Sequence, residues 1–187
     1  MYHNNKDLRV RKSSELIYQA VITCLESKKL EEIHISDLEK VSTVSRSTFY
    51  RNFDSIVDVL QWKCDLEFST MLNQFISSPI ETRPEGFLHF FFTYWFEREQ
   101  LIQIIFEQHR IDILYQSLLT NSYILEEYFK EISHKNSCGI YYFPMRIGLI
   151  ISIFITWFQN GKQETPEEIC AMLMEHLEEL NGLDVIF

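Results

Sequence analysis

Val44-Ser45-Arg46-Ser47-Thr48-Phe49-Tyr50-Arg51-Asn52-Phe53 is the stretch on which the fold turns. Ser45 is a good N-cap, because its side-chain oxygen can accept an amide proton from the turn that follows, and the pattern predicts a short helix over 46–52. Val44, Phe49 and Phe53 face the core in this reading, whereas Arg46 and Ser47 point outward from the first turn. Just upstream, Ile35, Leu38 and Val41 recur at three-residue spacing and predict a helix barely two turns long over 35–41. Its cap would be His34 or Ser36, and His is the poorer of the two. Ser42 to Val44 then make a tight turn, so one short helix follows another after only a few residues.

Working outward, Ile17, Ala20, Val21, Cys24 and Leu25 have the spacing of one buried helical face and predict a helix from about Ser13 to Ser27. Lys28 to Glu32 is a polar break. On the other side, Asp54-Ser55-Ile56-Val57-Asp58 sets a Ser three residues before an acid, a variant of the capping box, and predicts a helix from near Ile56 to beyond Leu72. Three short helices followed by a long one outline an N-terminal three-helix helix-turn-helix domain, 1–62, joined to a second helical domain, 63–187.

The second domain reads as helix after helix. A polar break from Ser77-Ser78-Pro79 to Pro84-Glu85-Gly86 precedes the aromatic stripe Phe87, Phe90, Phe91, Tyr94, Trp95, extended by Phe92 and Phe96. Leu101 to Phe106 is short and apolar, and Ile111, Leu114, Tyr115, Leu118 and Leu119 begin a helix reaching Ile132 with a break expected near Asn121-Ser122. Gly139 to Gln159 is the most apolar segment and stops at Asn160-Gly161. Thr165-Pro166-Glu167-Glu168 combines a cap, a Pro at the first helical position and a capping-box acid, ahead of the stripe Ile169, Leu173, His176, Leu177, Leu180 and a stop at Asn181-Gly182. About nine helices in an all-α chain are expected.

Composition agrees with that class. Apolar residues make up 46% of the 187, with 5 Gly and 4 Pro, which favours long uninterrupted elements. Cys24, Cys64, Cys138 and Cys170 form no C-x-x-C pair and are expected to be reduced and buried in a cytoplasmic protein. Met1 to Arg11 is polar, unlike a secretory leader, and the apolar run Ile147 to Phe158 is too short for a bilayer, so no membrane partner is expected. No nucleophile elbow, phosphate-cradling Gly loop, H-E-x-x-H or paired-carboxylate signature is present, which argues against an enzyme. His89, His109, His134, Cys138 and His176 lack local ligand spacing, so neither metal nor cofactor is expected.

The net charge of −10 is unevenly distributed. Residues 1–63 carry 10 Lys/Arg against 9 Asp/Glu, while the remainder carries 7 against 18. The acidic excess belongs to the second domain and leaves the first a modest basic face, with Arg9, Arg11 and Lys12 ahead of the first helix and Arg46 and Arg51 on the third.

A helix in the major groove needs short polar or bidentate side chains toward base edges, with hydroxyls or cations at its margins for phosphates. The segment 44–53 supplies both. Ser45 and the first-turn amides suit a phosphate, Arg46 and Ser47 suit base edges, and Arg11 and Lys12 could reach a neighbouring phosphate or the minor groove. The string from Ile33 to Phe53, and more loosely residues 10–62, resembles the DNA-binding domain of the TetR/AcrR family of bacterial regulators. The resemblance implies further DNA contacts from Thr48 and Tyr50, with Tyr50 and Asn52 on phosphates. It also exposes three departures. Thr43 stands where the family has Gly in the turn, Glu39 where it has a small residue, and Ile56 where it has a Lys that contacts phosphate. Thr43 is expected to add a contact of its own near the groove, and Arg51 or Lys63 to compensate in part for Ile56.

Phe154-Ile155-Thr156-Trp157-Phe158-Gln159-Asn160-Gly161 and Thr165-Pro166-Glu167-Glu168-Ile169 resemble the W-h-x-x-G and P-E-E segments of one C-terminal subgroup of that family, where h is hydrophobic. The resemblance implies a homodimer whose last two helices pair across a twofold axis, here through Ile150, Phe154, Trp157, Phe158, Leu173, Leu177 and Leu180. The apolar circumference of 139–158 agrees with a dimer, which would set two recognition helices on a palindromic double-stranded operator. The family also implies a cavity for a small apolar ligand, whose polar and ring groups would come from His89, Phe90, Tyr94, Trp95, His109, Tyr115 and Tyr142. The expected function is a sequence-specific repressor released by that ligand. The alternative is a helical interaction protein or an orphan regulator with no inducer.

Overall fold

Leu8–Leu25 forms α1, and its buried side Ser14, Ile17, Tyr18, Ala20, Val21 and Cys24 follows the 3.6-residue period. In the computed structural model, residues 8–78, 86–132 and 142–181 are described, the side chains of 127–132, 142–143 and 176–181 excepted. The remaining elements are a 3-10 turn at Leu30–Glu32, then α2 (Ile35–Val41), α3 (Arg46–Asn52), α4 (Ile56–Ser77), α5 (Gly86–Phe96), α6 (Glu99–Glu107), α7 (Ile111–Ile132), α8 (Tyr142–Gln159) and α9 (Pro166–Asn181). The fold is all-α, with nine α-helices and no strand among the described residues. No helix among them is long and apolar enough to cross a membrane.

Caps explain several of the boundaries. Ser55 and Asp58 close a reciprocal box at α4, Ser55 N–H donating to Asp58 Oδ2 at 2.9 Å and Asp58 N–H to Ser55 Oγ at 3.2 Å. Thr165 and Glu168 repeat it at α9, at 2.8 and 3.2 Å. At α2 the cap residue is His34, whose side chain makes no cap bond, and Asp37 substitutes by accepting the His34 amide at 3.0 Å. α8 ends in a Schellman motif, with Lys162 N–H on Trp157 O and Gly161 N–H on Phe158 O around a left-handed Gly161 (φ 78°).

Three segments differ from the sequence reading. α1 starts at Leu8, so Arg9, Arg11 and Lys12 lie in its first turns and not ahead of it. The polar break at 28–32 contains the buried Leu30, which anchors the 3-10 turn. α7 runs through Asn121-Ser122 unbroken, with Asn121 buried. The expected breaks at 79–85 and the expected starts at 139–141 lie outside the described residues.

The chain forms two units that interleave in sequence, one of Met1–Phe68 with Gln103–Thr120 and the other of Ser69–Ile102 with Asn121–Phe187. The expected boundary at 62/63 therefore falls inside α4, and the first unit recruits a later segment. Two hydrogen bonds show how. Leu30 N–H donates to Gln108 Oε1 at 3.0 Å, and Gln61 Nε2 donates to Ser117 Oγ at 2.8 Å. The second unit has an aromatic core, in which Phe92 meets Trp157 (5.1 Å between centroids) and Phe91 meets Phe154 (5.3 Å), with Trp95 beside Phe154.

Candidate nucleic-acid interface

α2 and α3 are joined by four residues, 42–45, and Ser42 builds the joint. Its hydroxyl donates to Leu38 O at 2.7 Å and accepts from Val44 N–H at 3.3 Å. Because these bonds shape the turn, Thr43 needs no left-handed backbone, and its φ is not positive. That is why the turn accommodates Thr where the resemblance implies Gly. Thr43 is exposed.

α3 is fixed from inside and capped from outside. Phe49 and Phe53 are buried, 5.9 Å apart, and Phe53 meets Trp62 of α4 edge-on at 6.0 Å. Val44, expected in the core, is half-buried. Ser45 Oγ accepts from Thr48 N–H at 3.3 Å and joins a hydroxyl cluster with Ser47 Oγ (2.9 Å) and Thr48 Oγ1 (3.1 Å). The opposite face is open, with Ser45, Arg46, Ser47, Tyr50 and Arg51 exposed and Thr48 half-buried. Tyr50 is 56% exposed although its ring meets Phe49 edge-on, an arrangement that leaves a large aromatic with a hydroxyl tip toward solvent.

Three expected DNA contacts look different in the structure. Asn52 is 2% exposed, and its amide donates to Ser13 Oγ at 2.9 Å, whose proton goes to Val10 O at 2.8 Å. It ties α3 to α1, and its side chain is not placed to meet a phosphate. The first-turn amides of α3 are partly engaged, since Glu39 Oε1 accepts the Arg46 N–H at 2.9 Å. Lys63, expected to compensate for Ile56, bridges Glu15 (3.2 Å) and Glu67 (3.4 Å) and lies 5.1 Å from the Tyr18 ring centre. Of the two candidates for that role, Arg51 is the exposed one. Arg11 and Lys12 are exposed on α1.

Glu39, which departs from the small residue the resemblance implies, takes part in the site. Its Oε2 accepts from Arg46 Nε at 2.7 Å, so one carboxylate holds both the backbone and the guanidinium of Arg46. The Arg46 side-chain bond, then its backbone bond, keep the Glu39 carboxyl below the usual carboxylate range. An acid on the preceding helix seven residues before a first-turn Arg was the available signal.

In the second unit, the expected ligand-contacting groups are mostly packed. Tyr94 and Trp95 are buried, with Trp95 against Phe154 and Tyr94 under the Arg98 guanidinium at 3.9 Å. Phe90 is half-buried against Phe75, and His89 Nε2 pairs with Glu167 Oε1 at 3.2 Å. His109 and Tyr115 belong to the first unit, where His109 terminates α6 with φ 54° and is exposed. The side chain of Tyr142 lies outside the described residues. Among the described residues no three His, Cys, Asp or Glu side chains could hold a metal, and His134, Cys138 and the side chain of His176 lie outside them.

The expected dimer contacts divide similarly. Phe154 and Trp157 are buried in their own unit, Trp157 donating from Nε1 to Glu164 O at 3.0 Å, so these two are core. Ile150, Phe158 and Leu173 are half-buried, and the side chains of Leu177 and Leu180 lie outside the described residues. Among the described residues, the exposed large apolar side chains of α8 and α9 are Met145, Leu149, Met172 and Met174.

No family model and no curated protein matches the chain. Among solved structures, the crystal structure of Lin0861 from Listeria innocua is similar over 95% of this chain and 96% of its own, with a TM-score of 0.78 at 22% identity. At that identity the likeness is one of fold.

Proposed function

We propose that the chain is a homodimeric, sequence-specific DNA-binding regulator of the TetR type, acting in the cytoplasm as a repressor that a small apolar ligand releases. The observation that carries the reading is α3 itself, a seven-residue helix whose inner face is locked by Phe49 and Phe53 while Ser45, Arg46, Ser47, Tyr50 and Arg51 stand exposed together. Packing alone asks for the inner face; it gives no reason for cations, hydroxyls and an exposed Tyr on the outer one. A short turn and a second helix behind it are what a major-groove reader requires.

The two tasks of such a protein would be linked as a population shift. A ligand bound better by one arrangement of the dimer than by the other would favour the state whose two α3 helices no longer match the operator spacing, and affinity would fall by that differential binding. For the dimer face, the exposed Met145, Leu149, Met172 and Met174 take the place of Phe154 and Trp157.

A second reading, an orphan regulator or helical interaction protein without an inducer, is favoured by one observation. Aromatic groups expected around a ligand are in mutual contact, as Phe90 with Tyr94 and Tyr94 with Trp95. Titration of apolar compounds followed by Trp fluorescence separates the two. A saturable change that also weakens DNA binding supports the inducible repressor, and its absence across a broad panel supports the orphan.

DNA binding is tested by selection from a random duplex pool with the wild type, Arg46→Ala and Tyr50→Ala. Enrichment of a roughly palindromic site by the wild type is expected, with weaker enrichment by Tyr50→Ala and a relaxed base preference in Arg46→Ala. No enrichment at any salt concentration would reject the regulator and leave the interaction protein.

A further inference from the structure

Glu39 divides its carboxylate between two donors of one residue, Oε1 on the Arg46 amide and Oε2 on Arg46 Nε. The first bond satisfies an amide that the start of a helix leaves without an intrahelical acceptor, as Ser45 does for Thr48. The second fixes a side chain. A guanidinium is a rigid planar fork with five N–H donors, and engaging Nε from one side leaves the two terminal nitrogens as the outward edge. The Arg46 side chain is 61% exposed, so that edge is presented to solvent from the first turn of α3. Paired N–H donors on such an edge match O6 and N7 of guanine in the major groove.

Resting on the regulator reading, we infer that Glu39 is a positioning residue that orients Arg46 as a reader of guanine while suppressing attraction to DNA of other sequence. Orientation matters because an Arg already held in place loses less conformational freedom when it meets a base. Suppression follows from charge. A carboxylate beside the one first-turn cation of α3 offsets that cation's pull on phosphates at every site, whereas the bidentate guanine bond is gained only at the right one.

The test uses the full chain as wild type, Glu39→Ala, Glu39→Gln, Arg46→Ala and the double variant. Each is put through duplex selection and then titrated on the selected site, on that site with its guanine replaced, and on a scrambled duplex. The wild type should enrich one guanine per half-site at the position that Arg46→Ala relaxes. Glu39→Ala should lose about tenfold or more of that discrimination while binding the scrambled duplex severalfold more tightly and with a steeper salt dependence. The double variant should discriminate no worse than Arg46→Ala alone.

Glu39→Gln keeps an acceptor for the Arg46 amide but lacks the second acceptor and the charge, so it carries the test if Glu39→Ala does not fold. Full guanine preference in a folded Glu39 variant would overturn the inference, and so would an equal loss of affinity on all three duplexes, the mark of a merely structural role. A wild type that enriches some site while the Glu39 variants read it unchanged removes this inference alone. A wild type that enriches nothing removes the regulator reading as well.

Discussion

Arg51 and Asn52 are neighbours of similar polarity with different surroundings, one exposed and one held by Ser13 inside the domain. Both were expected to touch DNA. The sequence places Phe49 and Phe53 on the inner face by spacing alone, but residue 52 sits where a one-residue turn of the helix decides between solvent and core, and its partner is 39 residues away. Asn52→Ala should therefore cost roughly 1–3 kcal/mol in urea unfolding and leave the salt slope of DNA binding unchanged. Arg51→Ala should leave stability nearly unaltered and reduce that slope by about one. Equal effects of the two on stability would contradict the assignment.

Acid should weaken the fold through two carboxylates. Asp37, held first by the Lys28 ammonium at 2.7 Å and then by the His34 amide, and Glu39, held by Arg46, both titrate below their ordinary range. A carboxyl whose folded pKa is lowered stabilises fully above its unfolded pKa, and that contribution is lost as pH falls through the folded value. The urea midpoint should thus fall below about pH 4, and Asp37→Asn should flatten that decline. An unchanged pH profile in the variant would contradict it.

Among the helices, starts that carry a capping side chain were more legible than the backbone at some helix ends. Starts are written in local chemistry, as at Ser45, Ser55 and Thr165, whose acceptors sit within three residues of the donors they satisfy. At one end the signal was hidden. α6 closes in a Schellman motif with Arg110 N–H on Ile105 O and His109 N–H on Phe106 O, around His109 in the left-handed region at φ 54°. Nothing in a His announces that geometry, so the sequence carries no stop signal there. His109→Gly should raise stability by roughly 1 kcal/mol, because Gly adopts this conformation without the Cβ penalty. Gly161→Ala, where no atom crowds the added Cβ, should cost about as much through φ alone. Loss of stability in His109→Gly would show that the imidazole has another task.

For the whole molecule, the all-α class followed from apolar periodicity and few glycines, whereas the recruitment of 103–120 into the first unit did not. It rests on Leu30 with Gln108 and Gln61 with Ser117, pairs separated by 78 and 56 residues that no local pattern connects. The same limit applies to α8, apolar around most of its circumference, where periodicity could not say which side faces its own unit. Phe154→Ala should destabilise by about 3–5 kcal/mol as a cavity in an aromatic core. Leu149→Glu should leave the melting temperature of the monomer nearly unchanged and shift the chain from dimer to monomer in sedimentation, if the exposed apolar residues of α8 and α9 form the twofold contact.

Most directly, the enriched duplex can be titrated with purified protein from 50 to 200 mM salt while the mass of the complex is recorded. The account predicts an even number of chains per palindromic site and an affinity that falls steeply with salt, as expected when several Lys and Arg side chains displace counterions. Absence of a complex even at 50 mM salt would contradict it.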